Sequence, residues 1–244
     1  MPKFFVSREN IGDSTVLISG ADANHISRVL RMHEGYALCV CDGNGMDYDC
    51  EISEISGDTV SLKIKNQRLC DAEPSISITL FMALPKSDKM EYVIQKCVEL
   101  GVVRIVPFSS SRCVVKLSDK DKAKKTDRWQ KIAESAAKQS GRGIIPKVSE
   151  PISWRELCAA AGEFDLSLFC YECEEENSLK SELSKSEFKK VCVVVGPEGG
   201  FDKAEVSDAV SAGFKSVSLG KRILRCETAP GCAVCAILYH TDNL

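Results

Sequence analysis

From Ile76 onward the sequence alternates apolar runs of strand length with segments of helical period. "ISITLFMAL", "VVRIVPF", "FDLSLFCYE", "VCVVV" and "SVSLG" are the apolar runs. Between them, "SDKMEYVIQKCVELG" puts Met90, Val93, Ile94 and Cys97 on one helical face, with Ser87 as its predicted N-cap and Gly101 as its stop. "TDRWQKIAESAAKQSG" repeats the pattern from a predicted cap at Thr126, through Trp129, Ile132, Ala133 and Ala136. "SWREL" opens a third helix with a capping box made by Ser153 and Glu156. Parallel strands need a crossover between them, and strands buried on both faces read as near-continuous apolar runs. This region is therefore expected to be α/β, a parallel sheet covered on both faces by helices.

Residues 1–72 follow a different rule. "TVLIS", "YALCVCD", "DYDCEISEIS" and "TVSLKIK" are short strand-like runs, and "GNG" and "SGD" between them are hairpin signals. One helix interrupts them, "ADANHISRVLRM", with Asp22 as its predicted N-cap. A small barrel with one helix fits, and "CDAEP", ending at Pro74, reads as a linker. At 244 residues the chain exceeds the usual domain of about 100–150, so two domains are expected, 1–72 and 73–244.

No apolar run reaches the roughly 18 residues of a membrane span, and "MPKFFVSREN" lacks the apolar core of an export signal. A cytoplasmic protein is expected. Its 13 cysteines, an odd number with several inside apolar runs, are expected to be free thiols. Cys170 and Cys173, like Cys232 and Cys235, have the spacing of a zinc pair, but one pair ends a strand and the other lies on an apolar helix, so no metal is expected. The net charge of −3 suggests no polyanionic partner by itself. Residues 112–147, however, carry 11 Lys and Arg against 4 Asp and Glu. Such a stretch is either a phosphate-binding surface or a solvated helix face.

Two stretches carry the candidate chemistry. In "VVVGPEGGFDKAEV", Val193–Val206, an apolar strand ends in Gly196, Pro197, Glu198, Gly199 and Gly200. Asp202 and Glu205 then form a capping box, and Phe201 and Val206 stand where a hydrophobic staple would pack. The glycines thus lie at the carboxyl end of a parallel strand, where open α/β sheets bind ligands. Glycine allows close backbone approach. The loop has neither Walker nor dinucleotide spacing, and its acidic helix start disfavours phosphate; a tight turn without ligand is the other reading. In "SLGKRILRCETAPGCAVCAILYH", Ser218–His240, an arginine-rich loop leads into a helix that is apolar nearly all round, with Pro230 in its first turn. That helix packs either across a subunit interface or within the core of one chain.

Together these two stretches resemble the SPOUT methyltransferase superfamily, and more closely its 16S ribosomal RNA uridine-N3 methyltransferases. "HISRVLRMHEG" with "CDGNG", "LPKSDKMEYVIQKCVELGV" and "RWQKIAESAAKQSGR" match the same family, so the resemblance spans nearly the whole chain in order. It implies a PUA-like, RNA-binding barrel at the N-terminus and a trefoil-knotted SPOUT domain after it. It further implies a homodimer, S-adenosyl-L-methionine as cofactor and 16S rRNA, within the small ribosomal subunit, as substrate. The loops after the last three strands would hold the cofactor: Tyr171 and Glu172; Gly196, Pro197, Glu198, Gly199 and Gly200; and Leu219, Gly220, Ile223, Leu224, Arg225 and Thr228. "CYECEEE" around Tyr171 departs from the family's aliphatic-proline pattern. The glycines are then expected to admit a bent adenosylmethionine against bare backbone.

Methylation at N3 must remove a weakly acidic proton and align donor with acceptor. Arg225 and Arg222 are placed to stabilise negative charge on the uracil, or else to bind phosphate or the cofactor carboxylate. Glu198 is placed to accept the proton, to orient a donor, or to bond neighbouring backbone N–H groups. Arg8, Arg28, Arg31, Lys86, Arg142 and Arg222 are the candidate RNA contacts, with Arg142 favoured by its flanking glycines. Methylation of ribose or another base, an RNA-binding module without catalysis, and a small-molecule enzyme of nucleotide type are the other readings.

Overall fold

Hairpin chemistry builds the N-terminal sheet. The computed structural model describes all 244 residues, Met1–Leu244. Strands β1 (Lys3–Phe5), β2 (Thr15–Ser19), β3 (Ala37–Cys41), β4 (Met46–Ser56) and β5 (Thr59–Leu69) form one sheet in the order β1-β3-β4-β5-β2. At the β3–β4 turn, Asp42 Oδ1 accepts from the N–H groups of Asn44 (2.8 Å) and Met46 (3.1 Å). Burial alternates along β2, so Val16 and Ile18 point inward with Leu38, Val40, Ile52, Val60 and Leu62. Strand β1, which pairs in parallel with β3, is too short to announce itself in the sequence.

Helix α1 (Gly20–Asn24) runs on into a wider π-type turn, His25–Val29. Its N-cap is Ser19, not the expected Asp22. Strand β2 continues to Ser19 and the chain turns at Gly20 (φ 67°), which leaves Asp22 in the first helical turn.

The chain divides into two units, Met1–Glu73 with Ala137–Ile145, and Pro74–Ala136 with Pro146–Leu244. The segment 137–145 is therefore shared with the barrel rather than with the later domain. Its anchor is Arg142, whose guanidinium meets Glu73 at 2.6 Å and is 2% exposed. Glu73 Oε1 also accepts from the N–H groups of Gly143 (2.8 Å) and Ile144 (3.0 Å). A Cβ at Gly143 would run into Cys70, so this close passage requires glycine.

In the second unit, β6 (Ser77–Ala83), β7 (Arg104–Phe108), β8 (Lys147–Val148), β9 (Leu166–Cys170), β10 (Lys190–Val195) and β11 (Lys215–Val217) make a sheet in the order β11-β9-β10-β6-β7-β8. Every pairing in it is parallel. The connecting helices are α2 (Lys89–Glu99), α3 (Asp119–Gln139), α4 (Trp154–Ala159), α5 (Leu179–Leu183), α6 (Lys203–Ala212) and α7 (Ala229–His240). The capping boxes of α4 (Ser153, Glu156) and α6 (Asp202, Glu205) form as expected.

Two other expected caps do not form. Ser87 lies outside α2 at φ 56°, and Asp88 takes the N-cap position without a side-chain bond. Helix α3 starts at Asp119, well before Thr126. Ser118 Oγ bonds Asp121 Oδ2 (2.6 Å) and accepts from Asp121 N (3.3 Å). The extra turns, "DKDKAKK", have good helix formers but no apolar stripe, so periodicity cannot show them. No helix is long and apolar enough to cross a membrane.

Candidate active site at the carboxyl rim of the parallel sheet

The glycine loop is a strand-to-helix turn built over an aromatic cluster. After β10, Pro197 is buried and the chain doubles back so that Phe201 tucks beneath the loop at 2% exposure. Its ring centroid lies 4.4 Å from that of Phe169, 5.8 Å from Trp154 and 6.4 Å from Phe108, with which it is stacked. A Cβ at Gly196 would sit 2.8 Å from the Phe201 ring. At Gly199 it would sit 3.2 Å from Arg112 Cβ, and at Gly200 (φ 64°) it would collide with the Glu172 carboxylate. The three glycines make room for protein side chains, and the open position is Gly220 (φ 110°), where a Cβ would meet nothing within 4 Å.

Neighbouring loops fix this turn in place. Arg112 Nη1 donates to Gly199 O at 2.9 Å. Ser111 N donates to Glu205 Oε1 (2.6 Å) and Ser111 Oγ bonds Asp202 Oδ2 (2.7 Å). The Glu205 N–H and then the Ser111 hydroxyl hold the Asp202 carboxyl below its ordinary value.

Glu198 projects from the loop, with its side chain 28% exposed. Its Oε1 accepts from Lys86 N at 3.1 Å and lies 3.0 Å from Lys89 Nζ. The same ammonium lies 3.1 Å from Glu227 Oε2, in the loop before α7. Desolvation alone would raise the Glu198 pKa. The backbone N–H of Glu198 itself, the Lys89 ammonium and the Lys86 N–H outweigh it and keep the group below the usual carboxylate range. A carboxylate so stabilised takes up a proton poorly, which favours orientation over proton acceptance. Bonds to Glu198 first and Glu227 second raise Lys89 above the ordinary ammonium value. Burial is the main cause that pushes Cys226, beside this cluster, up to about 12, so it stays a neutral thiol.

The remaining expected residues sort by exposure. Tyr171, Leu219 and Leu224 are half-buried; Gly220, Arg222, Ile223, Arg225 and Thr228 are exposed or partly so. The Arg225 carbonyl accepts from Thr228 N (2.8 Å) and Ala229 N (3.0 Å), which starts α7 and leaves the guanidinium outside. Thr228 occupies the N-cap position without a side-chain bond. Arg8, Arg28, Arg31 and Lys86 are exposed, and Arg8 donates to the Tyr48 hydroxyl. Arg142 is the exception among the expected RNA contacts: it is buried and ion-paired, because the flanking glycines serve its packing and not a phosphate.

Sequence reasoning misses Lys89, Glu227 and Arg112. Only tertiary folding brings them to the glycine loop, although Lys89 lies three residues beyond Lys86, itself a candidate contact. A separate cavity of ≈ 290 Å³ borders Pro85, Ser87 and Trp129, with Lys124, Lys125 and Arg128 at its edge. All 13 cysteines are free, and no group of three or more His, Cys, Asp or Glu side chains is placed to hold a metal ion.

Known proteins resemble the chain along its whole length. The RNA methyltransferase domain family matches residues 72–238, and the RNA methyltransferase PUA domain family matches residues 18–65. Ribosomal RNA small subunit methyltransferase E of Bacillus subtilis is 37% identical over 255 residues, covering 100% of this chain and 98% of the relative. The crystal structure of a ribosomal RNA small subunit methyltransferase E from Neisseria gonorrhoeae bound to S-adenosyl methionine is 33% identical, with a TM-score of 0.86 over 98% of this chain and 97% of that one. A Legionella pneumophila methyltransferase, solved with its cofactor bound, is 29% identical with a TM-score of 0.82, over 97% and 96% of the two chains. A PUA-type barrel and a parallel-sheet domain matching RNA methyltransferases from end to end leave one assignment: the chain belongs to the ribosomal RNA small subunit methyltransferase E family.

Proposed function

We propose that the protein transfers a methyl group from S-adenosylmethionine to N3 of a uridine in 16S ribosomal RNA. The main support is the full-length likeness to a relative crystallised with that cofactor, joined to a rim whose donors suit it. The cofactor is a cation at sulfur, and Glu198, Glu227 and Glu172 supply carboxylates at this rim. Gly220, at φ 110°, leaves open space beside this rim, where an added Cβ would meet no atom within 4 Å. Bound there, adenosylmethionine supplies an electrophilic methyl group. Tyr171, the glycine loop and the stretch from Leu219 to Thr228 would hold it.

This chain's own part is to bind, orient and stabilise charge. The exposed Arg225 guanidinium sits where it can steady negative charge on the uracil after N3 loses its proton. Arg222, Lys86, Arg8, Arg28 and Arg31 are the proposed RNA contacts, joined by Lys124 and Lys125 on α3. The barrel, residues 1–72 with the returning segment 137–145, is proposed to bind RNA, and the domain from residue 73 to carry catalysis.

A trefoil knot and a homodimer belong to the same reading. The chain leaves β10, pairs β11 with β9, and returns so that α7 packs on α2, α5, β6 and β10, a crossing path that supports the knot. In the apolar helix α7, Cys232 and Tyr239 are exposed, a face suited to a second copy of the chain. The assembled small subunit in the cytoplasm is the proposed setting.

The test is incubation of the protein with labelled adenosylmethionine and undermethylated small subunits, followed by nucleoside analysis. 3-Methyluridine is expected; only ribose-methylated product would overturn the assignment. In the same assay Arg225→Ala is expected to lower kcat by about 100-fold while weakening cofactor affinity less than about threefold, as for loss of one transition-state donor. Equal losses in both would make Arg225 a binding residue only.

A further inference from the structure

We infer that Lys89 is a positioning residue, an ionic clasp that locks the glycine loop to the loop preceding α7. The inference rests on the proposed adenosylmethionine site, because both loops belong to it. Lys89 opens α2, which is held rigidly by Met90, Val93, Ile94 and Cys97, all at most 2% exposed. Its ammonium reaches Glu198 at 3.0 Å and Glu227 at 3.1 Å. These carboxylates are 29 residues apart in sequence, on loops that follow different strands. No backbone pairing joins residues 197–200 to residues 221–227. Lys89 is thus a shared counter-ion whose removal leaves two carboxylates facing each other across the same space. Their repulsion would part the two loops.

The cluster also has a net charge that matches its proposed ligand. One lysine against two glutamates leaves one negative charge at the rim, complementary to a cationic sulfonium. Removing Lys89 would on charge alone favour the sulfonium, so the loss of affinity expected for Lys89→Met comes from the parting of the two loops. Glu227 is held ionised by its own backbone N–H first, then by Cys226 and Lys89.

The experiment compares wild type, Lys89→Met, Lys89→Arg, Glu227→Gln and the double variant Lys89→Met/Glu227→Gln. Calorimetric titration with adenosylmethionine, steady-state kinetics and amide hydrogen exchange of the ligand-free proteins are measured. Lys89→Met is expected to raise Kd and the KM for the cofactor about tenfold, with kcat changed by less than about threefold. Lys89→Arg should return affinity to within about threefold of wild type. Adding Glu227→Gln to Lys89→Met should recover affinity, since it removes the repulsion. Amides of residues 197–200 and 221–227 should exchange faster together in Lys89→Met. Wild-type affinity and exchange in Lys89→Met, or a double variant worse than either single one, would overturn the clasp. Should Lys89→Met fail to fold, Glu227→Gln alone carries the exchange test. Failure of wild type to bind adenosylmethionine would instead overturn the site, while the exchange data would still decide on the clasp.

Discussion

Gly196→Val is expected to abolish measurable adenosylmethionine binding while leaving a folded protein. The added side chain starts 2.8 Å from the Phe201 ring. That ring cannot yield, because it is 2% exposed and wedged among Phe108, Trp154 and Phe169. Overpacking of this kind costs about 1–3 kcal/mol, less than the roughly 5–15 kcal/mol that holds a domain folded. The backbone of the loop must move instead, taking Glu198 off Lys89 and Gly199 off Arg112. A Kd weaker by at least about 100-fold is expected, equivalent to about 2.7 kcal/mol. Gly199→Val is a milder change, since its Cβ would sit 3.2 Å from Arg112 Cβ, a tighter fit than usual but less severe than the 2.8 Å approach at Gly196. Calorimetry on both variants decides. Wild-type affinity in Gly196→Val would remove the glycine loop from the site.

The largest loss of stability is expected from Glu73→Ala. Glu73 is 12% exposed at its side chain and receives both the Arg142 guanidinium and two backbone N–H groups, from Gly143 and Ile144. Removing one member of a buried ion pair costs about 3–5 kcal/mol, because the other charge stays out of water. The same deletion also takes the acceptor from two backbone donors. Glu51→Ala is the control. Glu51 meets Lys65 at 3.1 Å with both side chains nearly half exposed, and such pairs contribute about 0–1 kcal/mol. Urea unfolding of the two variants should separate them clearly. A Glu73→Ala midpoint no lower than that of Glu51→Ala would show that the 137–145 segment is not anchored by this pair.

Both predictions turn on residues whose meaning changes between sequence and structure. Gly196 is legible as a place where a side chain is forbidden, but not as a seat for Phe201. Arg142 between glycines reads as a phosphate ligand, yet its glycines let the chain pass against Cys70 and bury the guanidinium. Local chemistry is readable where it is self-contained. The capping boxes at Ser153 and Asp202 involve atoms three residues apart, so spacing suffices to find them. Caps expected at Ser87 and Thr126 fail because nothing in helical period reports a left-handed residue or a lysine-rich extra turn. Lys89 and Glu227 escape notice for one shared reason: each is an ordinary charged residue until two loops meet.

The alternation of strands and helices after residue 76, the covered parallel sheet and the loop at its rim follow from patterns along the chain, whereas the family comes from the resemblance of its motifs. Each of those patterns is set by neighbours within a few residues, through backbone sterics, side-chain period and capping. Which carboxylates face Lys89, which ring lies under Gly196, and which arginine disappears into the interior depend on atoms from distant segments sharing one volume. Excluded volume and desolvation act only once that volume exists, so those choices belonged to the tertiary structure alone.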